Sequence, residues 1–254
     1  MSTTFTTAPI KQVLTYPFKD ERWQGKVIIG MLIGLANFII PILPALIVSG
    51  YYYQIMHRIL VDDGELHLPE WDDWGKLIKD GWRLFCVNFI YNLPGVIFIM
   101  MGAVIYFVGV FAFTLASTEY SVPEESIFLL FLFMGIMFVC LTIGMVLAVV
   151  GGIAAPPALC NTVKHDSFKA AFRFSEWWRV LKANFGGFFI ALLIGFGVYM
   201  IIMFVAQIFY MTMLCSCLML PISMIGGYYF ALVFYAIIPL VYKEGLEKLK
   251  EQTV

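Results

Sequence analysis

Any chemistry in this chain must come from the types and spacing of a few polar side chains. His57 and His67 flank Asp62, Asp63 and Glu65, a set of metal-ligating types. Two histidines separated by an acidic turn match no recognised ligand spacing, and a solvated face explains them. Cys215-Ser216-Cys217 offers two thiols but no spaced Cys or His partner of the zinc type, which reads as packing. His165 beside Asp166 reads as surface. Asn88 and Asn92 share a helix face just before Pro94-Gly95, where a helix can open and expose carbonyls. With Gln207 they are candidate intramembrane polar contacts, either to a small solute or to neighbouring helices through amide hydrogen bonds. No Ser, His and Asp set, phosphate-cradling Gly loop or HExxH helix is present. The expectation is a non-enzymatic protein with no catalytic residue, no metal and no cofactor.

The elements that must position these groups follow from composition. Apolar residues make up 61% of the 254 and charged residues 13%, against roughly 45–50% and about 25% in a soluble domain. A water-soluble core of this size cannot hide so much apolar surface, which places the chain in a bilayer as an all-α, polytopic transmembrane bundle. A net charge of −1 gives no electrostatic case for nucleic acid. Residues 1–26 contain no apolar h-region, so an ordinary cleaved secretory signal is not expected.

Residues 84–112, 127–150, 185–207 and 218–242 are each long and apolar enough to cross. No charged side chain lies inside them, which argues against proton coupling. Residues 27–60 thread in two ways: one kinked span interrupted by Pro41 and Pro44, or a hairpin turning there. Every Lys and Arg falls before residue 27, within 58–83, within 164–182 or after 242, whereas 113–126 carries Glu119, Glu124 and Glu125 and no basic residue. By the positive-inside rule the basic segments and both termini are cytoplasmic and the Glu-bearing linker is external. Only the hairpin satisfies this, giving six spans as three hairpins; the single kinked helix gives five.

Short internal echoes suit three hairpins. Leu43-Pro44 with Gly50-Tyr51-Tyr52 repeats as Leu220-Pro221 with Gly227-Tyr228-Tyr229, and Asp80-Gly81-Trp82-Arg83 is echoed by Glu176-Trp177-Trp178-Arg179. Pro44, Pro123 and Pro221 would mark the turns. Glycines along the spans, among them Gly102, Gly109, Gly144 and Gly151, are expected to permit close helix contacts.

The chain is organised as a single membrane domain, residues 1–254, with a polar N-terminal segment at 1–22, interfacial segments at 61–83 and 161–183, and a tail at 243–254. In the first interfacial segment Pro69 sets an extended approach and Asp72 or Asp73 can cap a helix. Trp74, Leu77, Ile78 and Trp82 then recur at helical spacing. This predicts an amphipathic plate comprising Pro69, Glu70, Trp71, Asp72, Asp73, Trp74, Asp80 and Trp82, its Trp face on the lipid headgroups. In the second segment Asp166 can cap a helix whose Lys169, Arg173 and Arg179 reach lipid phosphates. Both plates are alternatively the wet ends of long helices.

Ile40-Pro41, Gly50-Tyr51, Arg58, Leu68-Pro69-Glu70-Trp71-Asp72-Asp73-Trp74, Asp80-Gly81, Tyr91 and Pro94 together resemble a family of prokaryotic multi-pass membrane proteins defined as a domain of unknown function. The likeness is best over roughly the first hundred residues, and its LPEWDDW core followed by DG is its specific feature. It implies a multi-pass protein of a cytoplasmic membrane, such as the bacterial inner membrane, and brings no substrate or catalytic residue. The leading expectation is an accessory or scaffold subunit docking another membrane protein or a second copy through the plate. A transporter or channel for a small neutral or lipophilic solute is the alternative.

Overall fold

The computed structural model of the chain describes residues 12–37, 39–40, 42–62, 67–116, 124–211 and 216–252, and every regular element among them is helical. A helical turn at 12–15 leads into a 3-10 turn at Tyr16–Phe18. There follow α1 (Trp23–Ala36), α2 (Leu43–Leu60), α3 (Trp74–Ala116), α4 (Glu124–Lys164), a 3-10 turn at Phe168–Phe172, α5 (Phe174–Ala183), α6 (Phe185–Met211) and α7 (Ser216–Glu251). Glu119 and Pro123 of the acidic linker, together with Pro41, Asp63, Glu65 and Cys215, lie outside the described residues.

Among the described residues four helices are long and apolar enough to cross a membrane: Trp74–Leu115, Ile127–Lys164, Phe185–Ile208 and Ser223–Glu251. They contain the first three spans that hydropathy marks, 84–112, 127–150 and 185–207, and the fourth, 218–242, from residue 223 onward. The 43 residues of α3 extend to about 64 Å at 1.5 Å per residue, roughly twice a ~30 Å hydrocarbon core. The polar run 74–83 is therefore the first turns of α3, not a separate surface helix, and the chain enters the apolar segment without a break. Residues 27–60 form two helices, α1 and α2, separated by residues 37–42, where Ile42 adopts φ 77°.

The chain divides into two compact units, Met1–Val87 with Pro156–Val254, and Asn88–Ala155. In the first, α7 is the central helix. It packs on α1, α2, α5 and α6, and Leu232, Val233, Ala236, Ile237 and Val241 are buried on it. The N-terminal segment is tied to it: Tyr16 Oη donates to Leu232 O at 3.1 Å, and Tyr229 Oη donates to Leu14 O at 2.8 Å. Tyr52 of α2 stacks on Tyr235 with ring centroids 4.6 Å apart. The echo of Gly50 at Gly227 is not matched in packing, since a Cβ at Gly227 would meet nothing within 4 Å.

At Gly50 the opposite holds. A Cβ there would stand 1.9 Å from the Leu77 carbonyl oxygen, and one at Gly81 would stand 1.8 Å from that of Leu46. Helices α2 and α3 thus touch backbone to backbone, with each glycine under a carbonyl of the other helix. The stripe Leu77, Asp80, Gly81, Leu84 and Val87 is buried along α3 at helical spacing, and Asp80 is the one charged residue on it.

In the second unit, a Cβ at Gly95 would lie 2.8 Å from Ala148 N, one at Gly144 3.0 Å from Gly95 O, and one at Gly151 2.4 Å from Tyr91 O. Small residues let α3 and α4 approach closely, as expected where lipid removes any hydrophobic gain from helix association. Much of the remaining surface is apolar and open, with Phe107 and Phe128 each 69% exposed. Such continuous apolar exposure suits contact with acyl chains rather than water.

Gly81→Ala is expected to lower stability by about 3 kcal/mol or more, because the intruding atom is backbone and cannot rotate away. Gly75→Ala, where the nearest atom is 3.6 Å from the added carbon, should unfold at or above the wild-type midpoint. Thermal unfolding in detergent compares the two.

Candidate functional site

The stretch Leu68-Pro69-Glu70-Trp71 has no regular secondary structure, so its carbonyls and ring N–H need partners from elsewhere. Lys26 supplies most of them. Its ammonium, on a residue only 6% exposed, donates to Asp20 Oδ2 at 2.7 Å and Leu68 O at 2.9 Å and pairs with Glu70 Oε1 at 2.8 Å. Three acceptors match the three donors of a lysine head. The Lys26 carbonyl in turn accepts from Trp71 Nε1 at 3.0 Å. Tyr51 completes the clamp, donating to Pro69 O at 3.0 Å and stacking on Trp71 with centroids 4.0 Å apart and planes 9° from parallel.

Beyond this clamp Asp73 caps α3, its Oδ1 accepting from Lys76 N at 2.9 Å, while Asp72 accepts from Asp73 N at 2.9 Å. The plate splits between two directions. Trp71 and Leu77 turn inward, whereas Trp74 and Trp82 are 44% and 54% exposed. The expected Trp face is therefore two rings, with Trp71 spent on holding the fold.

Between the polar ends of α2 and α3 lies a groove of about 760 Å³. Its acids are Asp62, Glu70, Asp72, Asp73, Asp80 and Asp166; its bases are Arg58, Lys76, Lys79 and Arg83, with His57 beside them. Asp166 does not cap a helix, as the sequence suggests it can. It sits in a left-handed turn at φ 45°, accepts from Tyr53 Oη at 2.7 Å, and pairs with Arg83. The hydrogen bond from Tyr53 holds its carboxyl below the usual carboxylate range against the opposing effect of burial, and Arg83 assists. Asp80 is 4% exposed. Its Oδ1 stands 3.6 Å from Arg83 Nη1, and among the described residues no donor reaches Oδ2.

A second polar cluster ties α4, α5 and α7. Asn161 Nδ2 donates to Ala170 O at 2.8 Å and Glu176 Oε2 at 3.1 Å, and Tyr242 Oη donates to Asn161 Oδ1 at 3.0 Å. The Asn161 bond, with Arg173 and His165 nearby, draws the Glu176 carboxyl below its usual range despite desolvation. Asn184 donates to Val241 O and Glu244 and accepts from Lys248 at 2.7 Å. Here every contributing amide is satisfied, which marks structural glue. On α5, Trp177, Val180 and Leu181 are buried, while Trp178 faces outward with Lys182 over its ring.

Asn88 and Asn92 do come together, but on their own helix: Asn92 Nδ2 donates to Asn88 O at 2.8 Å and Oδ1 at 3.1 Å. Pro94 is accommodated inside a continuous α3. Gln207 is exposed on α6. His57 faces Asp62 at 3.4 Å and His165 faces Glu176 at 3.4 Å. Among the described residues no three His, Cys, Asp or Glu side chains are grouped closely enough to hold a metal ion. Sequence reasoning assigns no site role to Lys26, Tyr51, Tyr53 or Arg83, although Tyr51 and Arg83 stand in the internal echoes. A basic residue at the threshold of an apolar run, and tyrosines within one, were the available signals.

The model of a family described as a protein of unknown function, DUF4013, matches residues 33–211. Gly50, Gly81 and every residue lining the groove lie inside that range, while Asp20 and Lys26 precede it. The chain is also similar to the uncharacterized protein MJ1189 of Methanocaldococcus jannaschii, 27% identical over 241 residues that cover 87% of this chain and 76% of that protein. No solved structure matches the chain.

Lys26→Met strands the nearly buried Asp20 carboxylate and the Leu68 carbonyl together, and is expected to cost about 3 kcal/mol, with faster hydrogen exchange at residues 68–71. A pH dependence also follows. Asp20 is lowered because the Lys26 and Arg22 N–H bonds outweigh desolvation, and Asp166 is lowered for the reasons given. A folded pKa below the unfolded value of about 3.9 contributes stability that is complete above that value and lost as pH falls through the folded one. Unfolding midpoints in detergent should therefore drop below about pH 4, and the drop should shrink in Asp20→Asn and Asp166→Asn.

Proposed function

We propose, on the premise that this chain belongs to the DUF4013 family of proteins of unknown function, that it is a non-enzymatic accessory or scaffold subunit of a cell membrane, docking another membrane component through the 67–83 face. One observation carries this. Four polar contacts from Lys26, Tyr51 and Trp71 fix an irregular segment; beside that fixed segment lies an open, charged groove, and the same stretch of α3 carries the outward Trp74 and Trp82. A mere connector needs neither rigidity nor such a surface. Preorganised, partly aromatic surfaces are what partner binding uses, since little ordering entropy remains to be lost.

Six spans with both termini cytoplasmic accompany this proposal. Support comes from the break between α1 and α2 and from the confinement of Lys and Arg to four segments. The solute-transporter alternative finds less support, because the Asn92 amide is already engaged by Asn88.

Native extraction in mild detergent followed by mass spectrometry should recover a partner or a second copy with the wild type. Trp74→Ala/Trp82→Ala should lose it at an unchanged unfolding midpoint, and a solitary wild-type protein overturns the proposal. For topology, single cysteines placed at Thr4 and Gln252 should label from one side of the membrane and one at Thr118 from the other, and labelling of the Thr4 position from the outside only removes the six-span arrangement. Labelling of all three from one side would sink it as well.

A further inference from the structure

The groove between α2 and α3 combines two features that ordinary surface charge lacks. It is concave and of ligand-sized volume, about 760 Å³ against the ~300–1,000 Å³ usual for ligand sites. It also contains a buried carboxylate that its own protein leaves incompletely paired. Asp80 sits on the inward stripe of α3, immediately before the glycine that brings α2 into contact, and its side chain is only 6% exposed. Oδ2 has no hydrogen-bond donor among the described residues. A buried carboxylate oxygen left without a donor is costly, and native proteins keep few of them.

The surrounding charges narrow what would complete it. Glu70 is paired with Lys26 and Asp166 with Arg83. The lining carries six acids, Asp62, Glu70, Asp72, Asp73, Asp80 and Asp166, against four bases, Arg58, Lys76, Lys79 and Arg83, with Asp62 facing His57. Arg83 is drawn toward Asp166 and stays 3.6 Å from Asp80. A bare metal ion is disfavoured, since hard cations take about six or more oxygen ligands and the described residues group no three such side chains. An N–H donor needs only one or two acceptors and brings the compensating positive charge.

We propose that this groove is a binding site for an organic cation, a guanidinium or primary alkylammonium group, with Asp80 as its buried anchor and the rim acids Asp72 and Asp73 drawing it in. The inference deepens the docking proposal by naming the chemistry of what docks. The cation is a basic side chain of the docked protein, complementary to the acid-rich lining, and a free solute is an outcome of the test.

The test uses the full chain in detergent and saturation-transfer NMR, with ethylguanidinium as the free probe and neutral ethylurea of the same shape as its control. A second arm uses acetyl-Gly-Arg-Gly-amide against the same peptide carrying citrulline. Saturable binding of the cations and none of the neutral partners is expected. Asp80→Asn should weaken binding by about tenfold or more, the scale of one lost charge-assisted hydrogen bond. Should Asp80→Asn fail to fold, Asp166→Asn decides. Its side chain is 67% exposed, and removing it frees Arg83 to turn onto Asp80 and compete, so binding should again weaken several-fold. Tighter binding of the peptide than of ethylguanidinium assigns the cation to a protein side chain, and equal affinity assigns it to a free solute. No saturable binding of either cation, or unchanged affinity in the deciding variant, overturns the site. A wild type that binds neither cation yet still retains its partner on native extraction removes the cation site while leaving the docking proposal standing.

Discussion

The contact on which this molecule turns is the meeting of α2 and α3 at Gly50 and Gly81. Each helix places a carbonyl, Leu77 on one side and Leu46 on the other, where the partner would otherwise carry a side chain. Close backbone approach brings dispersion and Cα–H···O contacts that side chains at these positions would prevent. The crossing fixes more than two helices. One residue beyond Gly50, Tyr51 reaches the Pro69 carbonyl and the Trp71 ring; two further on, Tyr53 reaches Asp166. One residue before Gly81, Asp80 is forced into the interior.

Two buried charges in this region have opposite fates, and the contrast separates scaffold from site. Lys26 finds three oxygen acceptors, and its backbone carbonyl is used as well. Nothing is left for a ligand to supply, so its role is to hold the 68–71 segment. Asp80 is buried just as deeply, but among the described residues one of its oxygens meets no donor, beside a roomy, acid-rich groove. The cost of desolvating a charge is the same kind of cost in both places. Only one of them is offset by the chain itself.

Elsewhere the chain shows how polar groups act when they serve the fold alone. Around Asn161 and Asn184, amides, a phenol and carboxylates close on one another and on backbone carbonyls of α4, α5 and α7. Asn88 and Asn92 close on their own helix. The 3-10 turn before α5 interrupts what periodicity reads as one helix, because Asp166 is taken by Tyr53 and Arg83 and no side chain caps the next segment.

Sequence alone determined that the chain is helical and apolar enough for membrane crossing. It also determined where the four long apolar helices run, because hydropathy and the spacing of apolar residues are local properties that survive without knowledge of neighbours. It marked Asp72 or Asp73 as a cap and the polar stretch 66–85 as the feature to explain. Tertiary structure alone decided that Trp71 turns inward while Trp74 and Trp82 do not, that Asp80 is buried, and that Lys26, Tyr53 and Asp166 belong to the same region. Those outcomes depend on which helix faces which, and the pairing of Gly50 with Gly81 joins residues thirty-one positions apart through a steric fit that neither segment displays by itself.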